Sequence, residues 1–66
     1  KLIGWASKHG RSLSFDLADE KMEGSRRLFT IHIVLDGELL SIGKGYNKKD
    51  ASQVAAQAAV EKLGLQ

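Results

Sequence analysis

From Phe29 to Leu35 every odd position holds a large apolar side chain, and Thr30, His32 and Val34 stand between them. A period of two, rich in β-branched and aromatic residues, predicts a strand buried mainly on one face. Leu13-Ser14-Phe15-Asp16-Leu17 repeats the pattern in shorter form and predicts another strand over 13–17. Residues 18–27 are polar and charged around Gly24-Ser25, which predicts a loop. Asp36-Gly37 suits the positive φ angles of a tight hairpin turn, so Glu38-Leu39-Leu40-Ser41-Ile42-Gly43 is expected to return antiparallel. Gly43 and Gly45 are expected to mark where that third strand breaks off.

The two ends of the chain follow another rhythm. Leu2, Ile3, Trp5 and Ala6 precede polar Ser7 and Lys8, and Gly10 stands where a helix commonly closes on a left-handed residue. Near the other end, Asn47 followed by Asp50 three residues on resembles a capping box. Residues 48–63 then read as one helix, with alanines at 51, 55, 56, 58 and 59, bulk from Val54, Val60 and Leu63, and Gly64 as its stop. So many alanines let a helix lie close to a sheet. The order is α-β-β-β-α, an α+β fold with two helices packed on one face of a three-stranded antiparallel sheet.

Sixty-six residues support a single domain, 1–66, and a chain of that size buries only about 60% of its unfolded surface. With no cysteine, neither a disulfide nor a thiolate metal site can staple it. Hydrophobic residues at 42% and charged residues at 27% are ordinary for a globular domain and exclude a disordered tail. An enclosed catalytic cleft needs a larger scaffold, so the chain by itself is expected to be non-catalytic and to need no cofactor. It begins without Met, inside its first helix, and is expected to be a piece of a longer protein whose first helix is truncated. No apolar run approaches the roughly 18 to 20 residues that span a bilayer, so no membrane partner is expected, and lack of cysteine fits a cytoplasmic home.

No catalytic constellation assembles from the motifs. His9 and His32 read as surface histidines. Asp16, Asp19, Glu20 and Glu23 lack the glycine-punctuated spacing of a calcium loop and read as a solvated acidic edge. Gly43-Lys44-Gly45 with Lys48-Lys49 lacks the Gly-Lys-Ser/Thr of a phosphate loop.

Charge distribution is more informative than the net value of +2. Residues 44–49 carry three lysines and no acid, whereas residues 16–23 carry four acids against one lysine. Lys48 and Lys49 also fall in the first turn of the second helix, where the macrodipole disfavours cations by a few tenths to about 1 kcal/mol each. A bound phosphate would reverse that sign, because free N–H groups, the positive helix end and two ammonium groups would face one anion. The other reading is a solvated lysine pair compensated by Asp50.

The run Asp36-Gly37, Gly43-Lys44-Gly45-Tyr46-Asn47-Lys48-Lys49-Asp50-Ala51, Ala55-Ala56 and Ala59-Val60 resembles the C-terminal half of a double-stranded RNA-binding domain. That family has the α-β-β-β-α order, and the resemblance extends from Leu2 to Gly64. The Leu2-Ile3-x-Trp5 opening is most similar to the C-terminal RNA-binding domain of bacterial ribonuclease III.

The resemblance implies recognition of A-form duplex by shape, over about 16 base pairs spanning two minor grooves and the major-groove phosphates between them. Lys48 and Lys49 match the family lysines that straddle the major groove, with Lys44 nearby, while Ser52 replaces the third lysine and implies a lower affinity. Where the family's minor-groove loop carries Gly-Pro-x-His, Gly24 is followed by Ser25-Arg26-Arg27, and Arg26 and Arg27 stand in for the histidine. The first-helix Gln-Glu pair corresponds to Ile3 and Gly4, with Ser7 one turn on. Double-stranded RNA is the implied partner, and the implied parent is a ribonuclease III that dimerises through a nuclease domain outside this chain. The alternative is a module of the same fold that pairs with proteins or with itself and binds RNA weakly or not at all.

Overall fold

The structure, a computed structural model, describes residues 2–64. Helix α1 (Leu2–Lys8) is followed by strands β1 (Leu13–Glu23), β2 (Arg26–Leu35) and β3 (Glu38–Gly45), and then by helix α2 (Lys48–Leu63). The strands form one antiparallel sheet in the order β1-β2-β3. Ile31 and Ile33 of β2 meet Leu2 of α1 and Ala51, Ala55 and Ala59 of α2 in one buried cluster, so both helices cover the same sheet face. The α+β arrangement expected from the sequence is the one observed.

The helix ends are built as their sequences predict. Gly10 takes φ 63°, its N–H donates to Ser7 O, and Arg11 N–H reaches Ala6 O at 2.8 Å, which together satisfy the last carbonyls of α1. Asn47 caps α2 from an extended conformation: its Oδ1 accepts from Asp50 N–H at 2.7 Å, and its Nδ2 donates to the Asp50 carboxylate at 3.1 Å. Gly64 closes α2 in the left-handed region.

Two expectations about the strands are corrected. Residues 18–27 are not a loop: β1 runs on to Glu23, β2 begins at Arg26, and Gly24-Ser25 is a two-residue turn with Gly24 at φ 65°. The pairing is Leu17↔Ile31 and then Asp19↔Thr30, so Ala18 is a bulge. Beyond it the ribbon outruns the helices and both faces meet water, so the apolar alternation disappears while the backbone pairing continues.

Gly43 likewise does not end β3, which runs on to Gly45, its last residue, where the break was expected. A β-carbon on Gly43 would lie 2.7 Å from Ala55 Cα, and one on Gly45 would lie 2.7 Å from Ala51 N. The glycines therefore allow the alanine face of α2 to rest on the strand backbone. Ser41, buried two residues earlier, donates its hydroxyl to Ala55 O at 2.7 Å across the same seam. Among the described residues only Ile33 is a large side chain with essentially no exposure, so close backbone approach replaces bulky packing in this core.

At the opposite end, Asp36 at φ 52° and Gly37 at φ 83° make the β2–β3 turn. The Asp36 carboxylate accepts from Ser12 N–H at 2.9 Å and pairs with the Arg11 guanidinium, which also lies 5.5 Å from the centre of the Trp5 ring. The Ser12 hydrogen bond, with Arg11 beside it, holds the Asp36 carboxyl below its ordinary value. One side chain thus ties the turn to the α1–β1 connection.

Candidate nucleic-acid interface

Lys48 and Lys49 are the first two residues of α2, immediately after the Asn47 cap, and both are exposed. Among the described residues neither lysine enters an ion pair. Asp50, the acid closest in sequence, is committed to the cap through both its backbone N–H and its carboxylate. Two free ammonium groups therefore stand at the positive end of a sixteen-residue helix. Ser52, half-buried, lies one turn beyond Lys48 on the same stripe.

Lys44 is not brought to that surface. Gly43 and Gly45 turn toward α2, so by strand alternation Lys44, paired with Thr30, lies on the sheet face away from the helices.

Arg26 and Arg27 stand on β2 at the hairpin tip rather than in a loop, and as consecutive strand residues they point to opposite sides. Arg27 pairs with Glu20 at 3.3 Å. The Arg26 guanidinium lies 3.8 Å from the centre of the Tyr46 ring. Tyr46 in turn donates its hydroxyl to Glu23 at 3.0 Å, and Glu23 is the register partner of Arg26. Tyr46 directly precedes Asn47, so its side chain joins the hairpin tip to the start of α2. Sequence reading missed this contact, because a single tyrosine between a glycine and a cap residue carries no periodic signal.

On α1, Leu2 and Ala6 turn inward, which leaves Ile3, Gly4 and Ser7 exposed together. A β-carbon on Gly4 would meet nothing within 4 Å. Ile3 and Ser7 border a groove with Ala6, Arg11, Leu13 and Phe15. The structure thus groups the predicted residues other than Lys44 into three sets: the α1 face, the hairpin tip and the start of α2. His9 packs against Trp5, with ring centres 5.3 Å apart, and His32 sits half-buried opposite Asp16 on the open sheet face. Among the described residues no group of three histidines or carboxylates is placed to hold a metal ion.

Comparison with known proteins places the chain in a family. The family model described as "Double-stranded RNA binding motif" matches residues 1–63. The chain is 34% identical over 64 residues to ribonuclease 3 of Bacteroides thetaiotaomicron, covering 96% of this chain and 21% of that protein. It is 38% identical over 64 residues to ribonuclease 3 of Bacillus licheniformis, covering 96% of this chain and 26% of that protein. A 51-residue match to ribonuclease 3 of Staphylococcus aureus is 37% identical and covers 77% of this chain and 21% of that protein. The chain therefore spans about a fifth to a quarter of the length of the curated relatives it matches. With the family model covering residues 1–63, nearly the whole chain, the chain belongs to the double-stranded RNA-binding motif family.

Proposed function

We propose that this chain binds double-stranded RNA by shape and charge, with little sequence preference, and serves as the substrate-binding domain of a ribonuclease III. The observation that carries the reading is the pair Lys48 and Lys49, exposed, without carboxylate partners among the described residues, and set on the positive end of a capped helix. A fold optimised for stability alone would place acids there, and phosphate turns the same arrangement into an attractive one.

In this reading Lys48, Lys49 and Ser52 meet the phosphates across the major groove. Arg26 and Arg27 at the hairpin tip meet one minor groove, and Ile3, Gly4 and Ser7 of α1 meet the other. Lys44, on the far sheet face, contributes only long-range attraction. Cleavage belongs to a nuclease domain elsewhere in the parent protein, through which the parent dimerises, and this chain itself is non-catalytic.

One observation favours the second reading, a protein-interaction module. Ile3 is 69% exposed and lies beside the partly exposed Phe15, an apolar surface where the family often presents a polar pair. Titration with a duplex RNA of about 20 base pairs, against duplex DNA of equal length and at several salt concentrations, separates the two. Preference for RNA with a log–log salt slope of a few units supports RNA binding. Equal affinity for DNA, or no binding, removes it.

A further inference from the structure

The three proposed contact sets lie on separate elements, and a duplex is recognised by shape only if their separations are held. The α2 lysines follow directly from the Asn47 cap. The hairpin tip, by contrast, projects beyond the helices, and Glu23 and Arg26 are the last paired residues before its turn. A tip of this kind, exposed on both faces, has no buried core to fix it. What crosses the gap is Tyr46, whose ring supports the Arg26 guanidinium at 3.8 Å and whose hydroxyl reaches Glu23 at 3.0 Å.

We propose that Tyr46 is a positioning residue for RNA binding: its ring holds Arg26, and with it the hairpin tip, at a set distance from Lys48 and Lys49. The inference rests on the RNA-binding reading above and deepens it. A guanidinium held over a ring loses much of its rotational freedom, while its N–H groups can still donate to sugar or phosphate oxygens. Because Tyr46 sits one residue before the cap, movement of the tip is transmitted to the start of α2. The separation between minor-groove and phosphate contacts differs between A-form and B-form duplexes, so a fixed gauge favours RNA over DNA.

The test measures duplex RNA and duplex DNA affinities for the wild type, Tyr46→Ala, Tyr46→Phe, Arg26→Ala and the Tyr46→Ala/Arg26→Ala double variant, with thermal melts to confirm folding. Tyr46 is 40% exposed, so its truncation leaves the core intact. Tyr46→Ala is expected to weaken RNA binding about two- to fivefold, the equivalent of one exposed cation–π contact. The RNA-to-DNA ratio should narrow, and the salt slope should stay unchanged because both lysines remain. Tyr46→Phe keeps the ring and should retain most of the affinity. The double variant should lose no more than the stronger single one, since both act through one contact.

Wild-type binding that survives Tyr46→Ala unchanged overturns the inference alone, as do additive losses or a Tyr46→Phe variant as weak as Tyr46→Ala. A wild type that does not bind duplex RNA overturns the functional reading and this inference with it.

Discussion

Gly43 on β3 lies directly beneath Ala55 of α2, so close that a β-carbon on the strand would stand 2.7 Å from Ala55 Cα. The atoms in the way are helix backbone, which cannot yield as the end of a flexible side chain can. Gly43→Ala should therefore push α2 off the sheet and destabilise the domain by about 3 kcal/mol or more. In a domain this small that lowers Tm by more than about 10 °C. Gly4→Ala should do the reverse. The added methyl meets nothing within 4 Å, and alanine favours helix α1 by about 0.5–1 kcal/mol. Thermal melts of the two variants should shift in opposite directions.

The Asp36 carboxyl predicts how stability depends on pH. Its folded value lies below the ordinary 3.8, held there by Ser12 N–H and Arg11. A lowered carboxylate contributes stability that is fully present above its unfolded value and is lost as pH falls through its folded value. Asp36→Asn tests this cleanly, because asparagine tolerates the positive φ of the turn and keeps an acceptor for Ser12 N–H. The variant should melt below the wild type at neutral pH. The gap should close as pH is lowered through and below the ordinary carboxylate value. A gap independent of pH would assign the effect to turn geometry instead.

How much of this was legible in the sequence follows from where burial is periodic. β2 buries one face, so from Phe29 to Leu35 its apolar residues repeat every two positions, while α2 was legible from its Asn47 cap, the helix propensity of its alanines and its Gly64 stop. The outer half of β1 and the start of β2 form a ribbon with water on both faces. There the pairing is carried by backbone hydrogen bonds that leave no mark on composition, and a strand reads as a polar loop. Gly43 and Gly45 were ambiguous for a different reason. A strand glycine signals either an end or a close approach, and the deciding partner, Ala51 and Ala55 on the helix, is known only once the two elements are packed. At the site, Lys48 and Lys49 were visible because they oppose the helix dipole. The side of the sheet taken by Lys44, the in-chain partners of Arg26 and Arg27, and the role of Tyr46 all depend on register that the sequence does not state.

Lys48→Ala together with Lys49→Ala should separate binding from stability. Both side chains are exposed, and removing cations from the first turn of α2 leaves the helix unchanged or slightly more stable, by a few tenths to about 1 kcal/mol per site. Loss of two charged phosphate contacts should weaken duplex RNA binding on the order of a hundredfold. It should also reduce the log–log salt slope by about two. Melting curves and a salt-dependent titration on the same preparations check both halves. Unchanged RNA affinity in a variant that melts like the wild type would place the binding surface elsewhere.

Ser52→Lys should strengthen what the lysine pair begins. Ser52 is half-buried one turn after Lys48, so a longer side chain there can lay its methylenes along α2 and carry its ammonium outward toward the same phosphates. The helix tolerates the change, since lysine has a better helix propensity than serine and the position lies beyond the first turn, where the macrodipole has largely faded. One added phosphate contact should raise duplex RNA affinity by about three- to tenfold at moderate salt and steepen the salt slope by about one. The gain should shrink as salt rises, because it comes from counterion release. It should also vanish when Lys48→Ala and Lys49→Ala are introduced beside it, since an ammonium at position 52 has no duplex to meet unless the first turn of the helix has already brought one there.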